Sequence, residues 1–141
     1  MNRKQLSPDS AKALLDAARK ARKEAYAPYS KFAVGAAVLT ENGEVFTGCN
    51  IENASYGATI CAERVAIFKA ISAGHKLIKS LAVVADHPEP IAPCGICRQV
   101  MSEFGPDADV FMANTKGHTR TANMKELLPI AFELQKSDSI K

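Results

Sequence analysis

The stretch FAVGAAVLTENGEVFTGC, residues 32–49, decides the fold. It holds two apolar runs, 32–40 and 44–49, of the composition that suits pleated strands. Between them stands Asn42-Gly43, the strongest short-range hairpin signal. An antiparallel pair is therefore expected near the start of the chain. Upstream, Ser7, Pro8 and Asp9 supply an N-cap, a first-turn proline and a favourable acidic residue. Ala11, Leu14, Leu15, Ala18, Ala21 and Ala25 then recur at helical spacing, which predicts a helix over 8–25.

Downstream of the hairpin the pattern changes. Residues 50–60 read as a polar loop, and a helix over 61–73 ends at Gly74. KSLAVVAD (79–86) is short and β-branched, as a buried strand is. HPEPIAP (87–93) is a proline-rich loop, and a helix over 94–104 stops at Gly105-Pro106. DVFMAN (109–114) is a further strand, HTRTA (118–122) a candidate last one, and a short helix begins near Met124 with Pro129 limiting it. Strands alternating with helices define an α/β layered domain. Helical crossovers demand parallel pairs, and the hairpin makes the sheet mixed. One domain over 1–135 is expected, with KSDSIK (136–141) as a flexible tail.

The 141 residues allow one core of ordinary size, and 47% hydrophobic against 23% charged residues is a globular balance. The net charge of +3 is small. Lys12, Arg19, Lys20, Arg22 and Lys23 read as the solvated face of the first helix, so a nucleic-acid partner is not expected. No apolar run approaches the roughly 20 residues of a membrane span. The N-terminal MNRKQLSPDS lacks the apolar segment of a secretory signal, which implies a cytoplasmic protein. In that reducing setting the four cysteines are better metal ligands or small core residues than disulfides.

Their spacing separates those readings. Cys94 and Cys97 stand three apart at a helix start, and Cys61 opens another helix. Two helix N-termini aimed at one point favour thiolates. Three sulfurs on zinc leave a fourth position for water, whereas Cys49 as a fourth ligand would close the site and make it structural. Cys49 has no partner at ligand spacing, so a buried thiol is the simpler reading. Glu63 lies two residues past Cys61. At about 3.6 residues per turn that is about 200° round a helix, the place of a proton carrier beside a bound water and not of a ligand. Three thiolates leave Zn²⁺ one charge negative, so a cation near sulfur is needed, and Arg64 is a better candidate than Arg98. His75, His87 and His118 show no ligand spacing to the cysteines and read as exposed.

CAE (61–63) followed by PCGICRQ (93–99) resembles the signature of the zinc-dependent nucleoside deaminases. Together YAPYSKFAVGAAV, TGCNIENASYG, CAERVAIFKA, PCGICRQV and ELLPIAF resemble, in order over 26–132, the small homotetrameric cytidine deaminases. The resemblance implies a three-layer α/β/α sandwich around a mixed sheet of about five strands. It implies one Zn²⁺ per chain on Cys61, Cys94 and Cys97, with Glu63 as catalytic proton shuttle. Phe32, Asn50, Glu52, Ala54, Tyr56, Ala62 and Phe132 would bind substrate: Asn50 and Glu52 at the ribose 3′-hydroxyl, Phe32 edge-on to the pyrimidine, and Ala54, Tyr56 and Phe132 across a subunit interface. Arg64 and Gln99 would support the metal ligands. The implied reaction is hydrolytic deamination of cytidine and 2′-deoxycytidine, in pyrimidine salvage, by a homotetramer with no nucleic-acid or membrane partner. Two alternatives stand beside it: a blasticidin-type nucleoside deaminase on the same scaffold, and a non-enzymatic zinc module closed by Cys49.

Overall fold

A computed structural model describes residues 6–137. Helix α1 (Pro8–Ala21) is capped as the sequence predicts, with Ser7 Oγ accepting from the Ser10 amide at 3.2 Å. It stops short of Ala25, because its end tightens into a 3₁₀ turn, Arg22–Glu24. The cause lies in its neighbour. Gly35 lets the helix backbone approach so closely that a Cβ there would stand 2.0 Å from Ala18 O and 2.6 Å from Arg22 N. Arg22 Nε then donates to Ala33 O at 2.9 Å.

The hairpin forms from β1 (Val34–Thr40) and β2 (Val45–Cys49), paired antiparallel. Its loop is one residue longer than a two-residue Asn-Gly turn. Thr40 and Glu44 still pair, Thr40 N donating to Glu44 O at 2.9 Å, so residues 41–43 form the loop. Gly43 takes φ +86°, the left-handed residue that three-residue hairpin loops require. His75 is half-buried against this loop and not exposed: it lies 2.6 Å from Glu44 Oε2 and 3.2 Å from Asn42 Nδ2.

Helix α2 (Ala62–Ser72), β3 (Ile78–Ala85), α3 (Gly95–Phe104), β4 (Asp109–Asn114), β5 (Thr119–Asn123) and α4 (Met124–Leu127) complete the order. The sheet runs β2-β1-β3-β4-β5. β3 and β4 are parallel across the α3 crossover, and every other neighbouring pair is antiparallel. The expected mixed sheet of five strands is thus present.

Successive residues of the central strands face opposite layers. Ala37, Ala82, Val84 and Ala113 pack against Leu14 and Ala18 of α1. Val38, Leu81, Val83, Val110 and Met112 join Ala66, Ile67 and Ala70 of α2 and Met101 of α3 on the other face. Both faces are covered, which gives the three-layer sandwich and explains why these strands read as unbroken apolar runs. Each fully buried Val, Leu or Ile contributes about 1.5–3 kcal/mol. The core therefore fixes where the first turns of α2 and α3 lie. Among the described residues no helix is long and apolar enough to cross a membrane. Of the expected tail, Lys136 and Ser137 have no regular structure, and residues 138–141 lie outside the described residues, as do residues 1–5 of the segment read for a signal.

Candidate active site

Gly48 determines where α2 begins. A Cβ at Gly48 would stand 2.5 Å from Ala62 O and 2.6 Å from Ala66 N, so the first turn of α2 rests directly on β2. Cys61 is the N-cap of α2 and Cys94 the N-cap of α3, both with extended backbone and neither with a capping side-chain bond. Neither thiol caps its own helix, and both stand at the positive ends of two helices. Cys97 sits in the first turn of α3, buried. The three sulfurs lie within 4.8 Å of one another, and Cys49 is outside the group. Because Cys61 is a cap and not a helical residue, the rotation of about 200° to Glu63 reckoned from helix geometry does not apply. The cap's extended backbone turns the thiol out of the helical series.

The donor set fits zinc. Tetrahedral coordination at about 2.3 Å per Zn–S bond sets sulfurs about 3.8 Å apart, and Cys61 Sγ and Cys94 Sγ are 3.7 Å apart. Arg64 Nη2 donates to Cys61 Sγ at 3.4 Å, as the charge argument requires. Arg98 is committed elsewhere, its Nε to Pro93 O at 2.8 Å and its Nη1 to Leu127 O at 3.0 Å. The neighbouring Cys97 and the Arg64 guanidinium hold the Cys61 thiol well below its usual range against burial, while Cys97, beside Cys61, is pushed up. Glu63, in the first turn of α2, is only 4% exposed. Burial pushes its carboxyl up to about 7, opposed by its own backbone N–H.

A second group of residues lies along β1 and the loop before it. Asn50 is buried, its Oδ1 accepting from Val34 N at 2.9 Å and its Nδ2 donating to Phe32 O at 2.7 Å. Glu52 Oε1 accepts from the amides of Tyr29 and Ser30 at 3.0 and 3.1 Å, and Oε2 from Ser30 Oγ. The Ser30 hydroxyl is the main cause that holds Glu52 below the usual carboxylate range. Phe32 is half-buried and meets the His87 ring edge-on, with centroids 6.5 Å apart. Ala62 is fully buried, its backbone as well as its methyl.

The remaining predicted residues do not join the sulfur cluster. Ala54 is exposed, Tyr56 is 76% exposed and packs edge-on against Tyr29, and Phe132 is 67% exposed. Gln99 Nε2 donates to Phe132 O at 3.0 Å and not to a sulfur. Sequence reasoning missed Ser30, His87 and Gly48. Ser30 stood inside a quoted motif, but nothing in one sequence says that its hydroxyl reaches a residue 22 positions on.

Residues 8–113 match the cytidine and deoxycytidylate deaminase zinc-binding region. This chain belongs to that family of zinc-binding deaminases, and is an enzyme of that class with zinc as its cofactor. Its particular relatives agree. It is 52% identical to the cytidine deaminase of Sporosarcina psychrophila over 84% of this chain and 88% of that protein. The crystal structure of cytidine deaminase from Burkholderia pseudomallei superposes with TM-score 0.83 at 52% identity, covering 86% of this chain and 98% of that one. The blasticidin-S deaminase of Bacillus cereus is more distant, 32% identical over 73% of this chain and 79% of its own length.

Proposed function

We propose that this chain hydrolyses cytidine and 2′-deoxycytidine to the uridine nucleosides and ammonia. The observation that carries the reading is geometric. A buried carboxyl, Glu63, lies two residues past the cap residue Cys61, beside three sulfurs spaced for one zinc ion. The higher identity to cytidine deaminases than to blasticidin-S deaminase favours the simple nucleoside.

Cys61, Cys94 and Cys97 would hold the ion, which when bound makes a water nucleophilic at neutral pH. Glu63 takes a proton from the attacking water as its oxygen bonds to C4 of the base. It delivers the proton to N3, and a second proton passes through it to the exocyclic nitrogen as the C4–N bond breaks. Ammonia leaves, and no redox change occurs. A carboxyl shielded from solvent keeps each transfer local. Arg64 bonds Cys61 and offsets the negative charge of three thiolates.

Asn50 and Glu52 bind the sugar hydroxyl, Phe32 lies along the base, and Ala62 borders the base. Ala54, Tyr56 and Phe132 serve a neighbouring subunit's site, with Gln99 holding the Phe132 carbonyl. Their exposure supports that assignment, as do Tyr26, Ile130 and Leu134, 56%, 94% and 76% exposed. A surface with so many large apolar groups fits an assembly, here a homotetramer. Residues 1–135 form its one domain, and the enzyme works in cytoplasmic pyrimidine salvage without nucleic acid or membrane. The test is a substrate panel followed by ultraviolet absorbance. Turnover of free cytidine, with little of blasticidin S or of cytosines in single-stranded RNA, is expected. Preference for either of the others would overturn the assignment.

A further inference from the structure

The loop that carries Phe32 is braced from one side chain. Ser30 Oγ donates to Glu52 Oε2 and accepts from the Phe32 amide at 3.0 Å. The Ser30 amide donates to the other Glu52 oxygen at 3.1 Å. Asn50 Nδ2 takes the Phe32 carbonyl at 2.7 Å. Thus one hydroxyl joins the carboxylate proposed to bind sugar to the aromatic proposed to flank the base.

Two facts show that the brace is not incidental. Lys31, between Ser30 and Phe32, has φ +61°. A non-glycine residue there is strained, and such a conformation persists only where its surroundings over-determine it. The bonds from Ser30 to Glu52 and Phe32 flank that residue on both sides. Secondly, an ionised carboxylate offers about four acceptor sites. Two are taken on Oε1 by amides and one on Oε2 by the Ser30 hydroxyl. Among the described residues one site remains, on Oε2. The Ser30 bond therefore selects which lone pair of Glu52 is left for a ligand hydroxyl.

We propose that Ser30 is a positioning residue for substrate recognition, which sets the free acceptor of Glu52 toward the sugar hydroxyl and holds Phe32 in register with it. The inference rests on the reading of Glu52 as sugar ligand. Ser30 itself touches no reacting atom. Its loss alters how tightly the sugar is recognised, and leaves the zinc ligands and Glu63, which sit on α2 and α3, unaffected.

The experiment is a cycle between protein and substrate. Cytidine and 3′-deoxycytidine are compared in kcat/KM for wild type, Ser30→Ala and Ser30→Thr, with zinc content measured in each. Wild type is expected to prefer cytidine. In Ser30→Ala that preference falls by about tenfold, the scale of one hydrogen bond to a charged group, mostly through KM. Ser30→Thr, which keeps the hydroxyl on an exposed residue, restores it. Zinc content stays equal throughout. A wild type that does not distinguish the two substrates overturns the reading of Glu52, and this proposal with it. A wild type that does, with Ser30→Ala preserving the full preference, overturns the positioning role alone. An equal loss on both substrates assigns Ser30 to loop stability and overturns it too. Should Ser30→Ala fold poorly, Ser30→Ala with Lys31→Gly relieves the left-handed backbone and gives the same comparison.

Discussion

Replacing Gly48 by alanine should damage catalysis more than stability, although the residue touches no substrate. The added Cβ would meet Ala62 O at 2.5 Å and Ala66 N at 2.6 Å, where ordinary contact begins at 3.4 Å. The obstacles are backbone atoms, which cannot rotate away. The first turn of α2 must therefore retreat by about 0.9 Å, judged from the gap between 2.5 Å and that limit. Overpacking of this kind costs about 1–3 kcal/mol, or roughly a 3–10 °C drop in Tm for a domain of this size. That same turn holds Cys61 and Glu63. A displacement near 1 Å of catalytic groups can cost about 10²-fold in rate. Leu14→Ala is the comparison. Leu14 is buried against the α1 face of the sheet, and the cavity costs about 2–5 kcal/mol. Calorimetry and cytidine turnover on both variants settle it. Leu14→Ala should lose as much Tm or more and keep its kcat, while Gly48→Ala loses kcat. Gly48→Ala with a lowered Tm and an unchanged kcat would refute the reasoning, since the sheet would then not be what places the site.

Cys49→Ala should leave one zinc per chain, whereas Cys61→Ala, Cys94→Ala or Cys97→Ala should abolish binding; metal analysis of the purified proteins checks this, and zinc loss in Cys49→Ala would restore the closed structural site. Arg64→Gln removes the bond to Cys61 Sγ, and should cost about 10–100-fold in zinc affinity or in kcat. Competition with a chelating dye and steady-state rates separate the two effects. Phe132→Ala should raise KM with zinc intact, because the ring is proposed to stack on substrate in a neighbouring subunit. A fully active monomer in size-exclusion chromatography would contradict that.

Much of this was legible in the sequence because it depends on near neighbours. The strand runs, the caps at Ser7 and Gly74 and the spacing of Cys94 and Cys97 are local signals, and each led to the right element. What escaped depends on contacts between distant segments. Gly35 and Gly48 looked like ordinary strand residues, yet each is the place where a helix backbone lies on the sheet. The closeness of α1 to Gly35 is also why that helix tightens before Ala25. Cys61 was placed on a helical turn, but as a cap its direction follows from extended backbone. His75 was read as exposed because its partners Glu44 and Asn42 lie some thirty residues away.

The central claim is that Cys61 holds the metal and Glu63 moves the protons. Glu63→Gln keeps the size of the buried side chain and removes its ability to carry a proton. Zinc content and cytidine turnover should be measured together on this variant and on wild type. The account predicts one zinc per chain in both, with turnover in the variant lower by at least about 10²–10⁴-fold. Wild-type turnover in Glu63→Gln, or loss of zinc on making that change, would contradict it.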